Sequence, residues 1–301
     1  MRILVTGSTG LLGRALVKRL ACEGEVIGLS RHLARVEGEA QHLVCDLTDA
    51  DQARTIVGPA AVDLIIHAQA LADLDQCEDH PLLAQRMNVE AVEHLCRVAE
   101  ERTIGVIMIS TNCVFDGAKD RPYDEADAPY PISVYGRTKV AGERLLLRSP
   151  RNAVVRTSLL FGAGARRENF CETVIRGARE GRPVEAFVDQ VVSPTSTEDM
   201  AEGLVWLLRV LQGHARGTPH LYHLVNAGTC SRVELANRIV ELLGGSLTLV
   251  KPIRMADQGR PAKRPANATL TSRWLTAVTG RSLRSWDEAL QAYLKQRHLL
   301  N

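Results

Sequence analysis

The chain has 301 residues, of which 45% are hydrophobic and 24% are charged, and its formal net charge at pH 7 is +2. This composition is typical of a globular protein with one or two domains and a large buried core. The near balance of charge argues against a surface for nucleic acid or membrane. Apolar runs such as residues 62–66 and 106–109 are too short to cross a bilayer. We therefore expect neither nucleic acid nor a membrane among the partners.

Seven cysteines stand at positions 22, 45, 77, 96, 113, 171 and 230, without C-x-x-C spacing. Most lie in apolar helix or strand patterns, so we expect buried free thiols, not disulfides or a metal site. No signal peptide is expected before the first strand, which begins next to Met1. Both features favour a reducing, cytoplasmic location.

The first twenty residues predict a strand at residues 3–6, a glycine-rich turn and an amphipathic helix. The turn has the spacing GxxGxxG. Glycine lets the backbone approach a pyrophosphate, and the following helix N-terminus offers free N–H groups, so this order is typical of dinucleotide binding. The cofactor contacts expected from the turn are Gly7, Thr9, Gly10, Leu11, Leu12 and Gly13.

Residues 25–30 predict a second strand, which ends in Ser30, Arg31 and His32. An acidic residue at this place binds the ribose 2′-hydroxyl of NAD, whereas a basic residue favours the 2′-phosphate of NADP. No acidic residue stands there. We predict that Ser30 and Arg31 contact the cofactor, that NADP(H) is preferred and that NAD(H) is also accepted. The alternative is that Arg31 is a solvated loop residue.

Two further strands are predicted at residues 41–45 and 62–67, the second nearly all apolar, as in a parallel strand covered on both faces. Small residues after the second strand would let a cofactor lie across its end. The cofactor contacts predicted at these two strand ends are Asp46, Leu47, Ala68, Gln69 and Ala70. The alternative for Asp46 is that it does not contact the cofactor and only stabilises the turn.

Residues 81–102 predict one long amphipathic helix with Asn88 in its middle, although asparagine is a poor helix former. Two interpretations remain open. Asn88 is either a polar residue on the helix surface or a structural residue that supports the cofactor and the active-site lysine.

The fifth predicted strand, residues 103–109, is followed by Ser110 and Thr111, at the carboxyl end where doubly wound sheets bind ligands. Residues 113–131 come next and have neither helical nor strand periodicity. Loops of this length are usually functional.

Tyr135 and Lys139 begin the next helix and stand four residues apart, on one face and one turn from each other. A phenol has a pKa near 10, and a nearby ammonium lowers it. Lys139 can also bind the nicotinamide ribose, and Thr111 would hold the substrate oxygen beside Tyr135. We predict Thr111, Tyr135 and Lys139 as catalytic residues, with Ser110, Tyr135 and Lys139 also contacting the cofactor.

The predicted fold class is α/β, a Rossmann-type doubly wound parallel sheet with a smaller α/β substrate-binding domain. A sixth strand is predicted at residues 153–157, and the composition changes after residue 162. A strand at 221–225 is expected to return to the main sheet. The Rossmann domain is therefore assigned residues 1–162 and about 196–228, and the smaller domain residues 163–195 and 229–301.

Over essentially its whole length the chain resembles the dTDP-4-dehydrorhamnose reductase family of the extended short-chain dehydrogenases/reductases. The matching segments are GSTGLLG, DLTD, residues 75–78, NVEA, ISTNCVFDG, YPISVYGRTKVAGE, VVRTSLLFG, ENF, DQVVSPTSTEDMAEGL and RPANATL. Family members reduce the 4-keto group of a nucleotide-linked deoxysugar with NADPH or NADH. The resemblance implies the same chemistry here, with Thr111, Tyr135 and Lys139 at the catalytic positions.

The chain departs from the family pattern on the substrate side. Asn112 and Cys113 stand where the family usually has Asp-Tyr, Leu159 where it has Trp, and Leu71 where it has Tyr. The hydride chemistry is therefore better indicated than the sugar, and we expect a substrate pocket that differs from that of rhamnose-forming relatives.

The substrate contacts predicted on this basis are Asn112, Cys113, Asn169, Lys263 and Arg264. The last three are candidates for the diphosphate or base, with solvated charge as the alternative for the two cations. The leading hypothesis is an NADPH-dependent reductase of a nucleotide sugar, with a homodimer as one allowed assembly. The alternatives are an NADP-binding regulatory subunit, like the β subunit of methionine adenosyltransferase, and a nucleotide-sugar epimerase.

Overall fold

The computed structural model describes residues 1–164, 168–213 and 220–300. The strands within these residues are β1 Arg2–Thr6, β2 Glu25–Ser30, β3 Gln41–Val44, β4 Leu64–His67, β5 Gly105–Thr111, β6 Ala153–Thr157, β7 Leu160–Phe161, β8 Val184–Phe187, β9 Val191–Val192, β10 Thr195–Ser196, β11 Leu221–His223, β12 Cys230–Ser231, β13 Val250–Ile253 and β14 Asn267–Ala268.

The α-helices of the same residues are α1 Leu11–Leu20, α2 Ala50–Gln52, α3 Leu74–Asp79, α4 Pro81–Gln85, α5 Ala91–Glu101, α6 Val134–Leu146, α7 Phe170–Glu180, α8 Thr197–Gly213, α9 Arg232–Leu242, α10 Arg273–Thr279 and α11 Trp286–Gln296. Within the described part of the chain, no helix is both long and apolar enough to cross a membrane.

Seven strands form one sheet in the order β11-β6-β5-β4-β1-β2-β3, and every neighbouring pair is parallel. The strand order reverses between β1 and β4. A reversal of this kind opens a crevice at the carboxyl ends of the two strands, where doubly wound sheets bind their ligands. The predicted Rossmann-type fold is confirmed, and residues 221–223 return to the sheet as β11.

Helices cover both faces of this sheet because its strands are apolar on both sides. On β1, Ile3 belongs to one core and Leu4 to the other. The first core takes in Leu16 of α1 and Leu204 of α8, and the second takes in Leu95 of α5, all fully buried. The carboxyl edges of β1, β4 and β5 are thereby held by packing from both sides.

The remaining elements build a third, smaller core. β8 pairs with β13, and β9 pairs with both β12 and β14. Ile175 of α7, Ile239 of α9 and Leu290 of α11 are buried together in its interior. Leu275 of α10 instead joins the core of the main sheet. The domain division stays a prediction, and residues 165–167 and 214–219 within it lie outside the described part of the chain.

The long helix predicted at residues 81–102 is interrupted. Between α4 and α5 the backbone makes a π-helical turn, Arg86–Glu90, which contains Asn88. Such turns are rare and occur mainly at functional sites. The strand predicted at residues 103–109 is also shifted, because β5 begins at Gly105 and includes Ser110 and Thr111.

A buried ion pair fixes α6 to the sheet. Arg156 on β6 donates to the carboxylate of Glu143 on α6 through Nε at 3.0 Å and Nη2 at 2.6 Å. The two side chains are only 2% and 3% exposed. Ser110 on β5 donates to the same carboxylate at 2.5 Å.

Replacing Arg156 with methionine should lower the free energy of unfolding by about 3–5 kcal/mol, because Glu143 would stay buried without its counter-charge. Urea unfolding followed by circular dichroism measures this change. Arg176→Met is the control, since Arg176 pairs with Glu168 at the surface and should cost less than about 1 kcal/mol. Equal losses in the two variants would contradict the prediction.

Candidate active site

The glycine-rich turn packs against the end of β4 too closely to admit side chains. Gly7 has a φ of +68°, and a Cβ there would lie 2.9 Å from the backbone nitrogen of Gln69. A Cβ on Gly13 would lie 2.1 Å from the carbonyl oxygen of Gly7. Among the described residues, no side chain caps α1 at Gly10. Its first N–H groups are therefore available to an anion.

Three buried polar atoms beside this turn have no hydrogen-bond partner among the described residues: Ser8 Oγ, His67 Nε2 and Gln69 Nε2. The Nδ1 atom of His67 lies 2.8 Å from Thr6 Oγ1. Burial lowers the pKa of His67 to about 3, so the ring is neutral. Unpaired buried polar atoms are uncommon in proteins. Together with the closely packed glycines, they fit a polar ligand such as a dinucleotide at the switch between β1 and β4, where Ala68 and Ala70 keep side chains small.

The predicted cofactor residues at the ends of β2 and β3 differ in exposure. Ser30 is buried, whereas Arg31 is exposed. Asp46 Oδ1 accepts hydrogen bonds from the N–H and the hydroxyl of Thr48, at 3.0 and 2.9 Å. These bonds stabilise the turn after β3, as the alternative interpretation of Asp46 expected. The side chain of Leu47 lies in the core. Contacts of Asp46 and Leu47 with the cofactor stay predictions.

Asn88 is 1% exposed, so its interpretation as a surface residue is wrong. Its Oδ1 accepts from the N–H of Leu71 at 2.8 Å. Its Nδ2 donates to the Leu71 carbonyl and to Thr138 Oγ1, both at 3.1 Å. Asn88 therefore connects the segment after β4 to Thr138 of α6, the residue before Lys139.

Thr111 ends β5 and is 7% exposed. Its Oγ1 accepts from the N–H of Cys113 at 3.1 Å and donates to Asn112 Oδ1 at 3.1 Å. Asn112, a predicted substrate contact, donates Nδ2 to the Ala268 carbonyl at 3.0 Å. Its side chain thus connects β5 to β14.

Tyr135 and Lys139 lie one turn apart on α6 and are 8% and 2% exposed. Burial raises the pKa of Tyr135 above its usual value, and the side-chain interaction with Thr111 opposes the rise. The ammonium of Lys139 donates to the Ile109 carbonyl at 2.8 Å. Burial lowers the pKa of Lys139 to about 8, against the attraction of Glu143. Lys139 was expected to lower the pKa of Tyr135, but in this structure burial raises that pKa, and the opposing effect comes from Thr111 and not from Lys139.

Two other predicted residues flank this pair. Cys113 packs with Cys77 and Tyr135 in a small apolar cluster, beside the phenol. The hydroxyl of Ser110 is bound to Glu143. The hydroxyl of Ser110 can therefore only accept a hydrogen bond from a cofactor, and this contact stays a prediction.

The predicted substrate residues of the smaller part have different partners. Asn169 caps α7 through Oδ1, which accepts from the N–H of Glu172 at 3.1 Å, while its Nδ2 is buried without a partner among the described residues. Arg264 donates to Asp75 of α3 at 2.7 Å and is 13% exposed, so it differs from a solvated charge. Lys263 is exposed, as expected if it is a solvated charge.

Arg232 was missed in the sequence. It begins α9, its guanidinium lies 4.4 Å from the centre of the Phe170 ring, and its Nε donates to Gln190 Oε1 at 3.1 Å. Its Nη1 is buried without a partner among the described residues. Burial lowers the pKa of Arg232 to about 10. The residue lines a cavity of about 590 Å³ together with three further cations, Lys251, Arg260 and Arg264.

A doubly wound parallel sheet with Thr111 at the end of β5 and a Tyr-x-x-x-Lys pair on the next helix defines an extended short-chain dehydrogenase/reductase. The chain belongs to the family described as the RmlD substrate binding domain, whose model matches residues 1–299.

Similar proteins are known in sequence and in structure. A dTDP-4-dehydrorhamnose reductase of Mycolicibacterium smegmatis is 34% identical, over 96% of this chain and 84% of its own. A Streptomyces antibioticus protein named a probable dTDP-4,6-dihydroxy-2-methyloxan-3-one 4-ketoreductase is 32% identical, over 97% and 95%. The crystal structure of a Bacillus anthracis dTDP-4-dehydrorhamnose reductase in complex with NADP superposes with a TM-score of 0.86 at 28% identity, over 98% and 99%.

The lowered pKa of Lys139 predicts that stability rises with pH. Below about pH 8 the ammonium is charged in both the folded and the unfolded chain, and the folded chain bears the cost of burying it. Between about pH 8 and 10.5 the folded chain loses this proton while the unfolded chain keeps it, so the free energy of unfolding increases.

Lys139→Met should therefore be more stable than the wild type at pH 7, by about 1–3 kcal/mol. The difference should close as the pH approaches 10.5, as measured by urea unfolding at several pH values. Lys18→Met, which changes an exposed lysine of α1, is the control and should show no such trend. A pH-independent difference for Lys139→Met would overturn the assignment.

Proposed function

We propose that the protein reduces the 4-keto group of a nucleotide-activated deoxysugar, with NADP(H) preferred and NAD(H) also accepted. The observation that supports this most directly is the buried Tyr135 beside Thr111 at the carboxyl end of β5, one turn from Lys139. The names of the relatives support it as well, since one is a dTDP-4-dehydrorhamnose reductase and a structural neighbour of that name holds NADP.

The environment of Tyr135 suits a proton donor. A bound nicotinamide cofactor supplies the hydride in this class of chemistry. Because burial raises the pKa of Tyr135, the phenol keeps its proton at neutral pH and can donate it to the oxygen of the reduced carbonyl. Thr111 is placed to orient that oxygen. Lys139, one turn along α6 with its pKa lowered to about 8, is an acid that can supply a proton to replace the one that Tyr135 donates.

The cationic cavity of the smaller part suits the nucleotide end of the substrate. Arginine binds phosphate oxygens with strong, charge-assisted hydrogen bonds. Among the described residues, Nη1 of Arg232 and Nδ2 of Asn169 have no hydrogen-bond partner. The first is a donor of this kind, and the second lies on the residue next to Phe170. We assign Arg232 and Arg264 to the diphosphate, with Asn169 and Lys263 as neighbouring contacts.

The sugar ring differs among the relatives named above, which include a probable 4-ketoreductase of a different dTDP-linked ring. Leu71, Cys113 and Tyr135 lie in one apolar cluster. Leu71 and Cys113 are smaller or less polar than the residues usual in the family, and they give a drier pocket beside Tyr135. A pocket that lacks a hydrogen-bond partner discriminates less among hydroxyl patterns.

Oxidation of NADPH with a panel of dTDP-4-keto-sugars tests the function. We expect turnover of at least one panel member, and a preference for a sugar other than dTDP-4-keto-L-rhamnose. High efficiency with that compound in a competition assay would exclude the altered pocket. Binding of NADPH without oxidation by any sugar would favour a regulatory subunit, and solvent exchange without net oxidation would favour an epimerase. The reductase names of the relatives favour neither alternative.

Tyr135→Phe should reduce the single-turnover rate by about 10²- to 10⁴-fold, the usual contribution of a positioned general acid. Affinity for NADPH should be retained, because the phenol acts only in the chemical step. Tyr130→Phe, which removes the hydroxyl of a tyrosine 70% exposed in the preceding loop, is the control. A near-wild-type rate for Tyr135→Phe would eliminate Tyr135 as the acid.

Arg232→Met should raise KM for the nucleotide sugar by about 10- to 100-fold, the range for hydrogen bonds to charged groups, with a smaller effect on kcat. Arg238→Met, on the same helix but paired with Asp287 at 2.6 Å, should leave KM unchanged. Steady-state kinetics of both variants decide the matter. A loss confined to kcat would place Arg232 outside the substrate site.

A cytoplasmic location stays a prediction that rests on thiols, since all seven cysteines are free and five of them are buried. A homodimer is likewise a prediction, and light scattering coupled to size-exclusion chromatography measures it.

A further inference from the structure

Four polar groups form a hydrogen-bonded chain behind the end of β2. Glu39 Oε2 lies 2.7 Å from His42 Nδ1, and His42 Nε2 lies 3.0 Å from Ser30 Oγ. Ser30 Oγ donates to the carbonyl of His32 at 2.6 Å. The side chains of Glu39 and His42 are 0% and 2% exposed.

Gly28 makes room for this buried carboxyl group. A Cβ on Gly28 would lie 1.8 Å from Glu39 Oε1. The carboxyl group therefore packs directly on the backbone of β2, two residues before Ser30. The carboxyl group of Glu39 could not be predicted from the residues at the end of β2, because Glu39 reaches β2 from the loop before β3.

The direction of each hydrogen bond follows from the groups involved. The His32 carbonyl can only accept, so it takes the single proton of the Ser30 hydroxyl. His42 Nε2 must then be the donor to Ser30 Oγ. Glu39 Oε2 also accepts from the N–H of Val36 at 3.2 Å, and Glu39 Oε1 is buried without a partner among the described residues.

This series of hydrogen bonds ends at the turn that contains Arg31. Ser30 and His32 flank Arg31, and their side-chain-to-backbone bond fixes the peptide units on both sides of it. The neighbouring Leu29 carbonyl accepts from the N–H of Gly7, at 2.8 Å, so this turn is built next to the glycine-rich turn. A rigid turn at this place sets where the guanidinium of Arg31 can reach.

We propose that the Glu39–His42–Ser30 chain positions the Arg31 turn for a ribose 2′-phosphate, which makes His42 a positioning residue for the choice of NADPH over NADH. The inference rests on the proposed function for its cofactor. It adds a specific determinant, because these hydrogen bonds connect the buried Glu39 to the turn that carries Arg31.

Titration of NADPH and NADH against purified variants tests this, with the ratio of the two Kd values as the readout. His42→Leu and Ser30→Ala should each lower the preference for NADPH by about three- to tenfold, the effect of one hydrogen bond, and leave the Kd for NADH nearly unchanged. His42→Gln keeps an N–H donor toward Ser30 and should restore most of the preference.

Arg31→Ala should abolish the preference, and adding His42→Leu to it should bring no further loss, because the two residues act in series. Additive losses in the double variant, or equal weakening of both cofactors, would overturn the inference. Asn152→Leu is the stability control. It breaks buried bonds to Val106 and Leu146 at the opposite end of the sheet and should leave the Kd ratio unchanged.

The outcome separates the inference from the proposed function. A wild-type protein that binds both cofactors equally would overturn the inference even if it reduces a sugar. A protein that prefers NADPH and responds to His42→Leu as expected, yet oxidises NADPH with no sugar of the panel, would uphold the inference and overturn the function. Should His42→Leu not fold, Ser30→Ala decides when measured with and without Arg31→Ala, because a direct contact of Ser30 with the cofactor would add to the loss in Arg31→Ala, whereas a positioning effect would not.

Discussion

The orientation of α6 depends on one buried carboxylate, that of Glu143. It binds Arg156 from β6 and Ser110 from β5, two central strands of the sheet. Separating charges that are already out of water is strongly unfavourable, so the helix cannot rotate or slide without losing this pair. Lys139 and Tyr135 lie one and two turns before Glu143 on the same helix. Their approach to Thr111 at the end of β5 is therefore set by an interaction that takes no part in the chemistry.

Burial has opposite effects on the two titratable groups of the site. It raises the pKa of Tyr135 and lowers that of Lys139, because in both cases it disfavours the charged form. A protonated phenol is ready to give up its proton when a carbonyl is reduced. In the oxidation direction the same phenol would first have to ionise in an apolar site. Glu143 limits the fall of the Lys139 pKa, so the carboxylate that orients the helix also keeps its lysine cationic near neutral pH.

The sequence predicted what depends on local pattern. Apolar strands and the GxxGxxG turn indicated the doubly wound sheet, and the spacing of Tyr135 and Lys139 indicated one helical face. The interactions that went unpredicted join residues far apart in the chain. Whether Arg232 is solvated or partly buried depends on Phe170 and Gln190, and the position of Glu39 depends on the space above Gly28. No local periodicity encodes contacts of this kind.

The two parts of the site are connected by the segment between Arg264 and Ala268. At one end Arg264 is bound to Asp75 of α3. At the other end the Ala268 carbonyl accepts from Asn112 Nδ2 at 3.0 Å and from Ser158 Oγ at 2.9 Å. A segment held at both ends limits movement of the cationic cavity relative to Tyr135. With the diphosphate bound in this cavity, as proposed, the distance from diphosphate to keto carbon would contribute to substrate recognition, because an anchored nucleotide would present only one region of its sugar to the phenol.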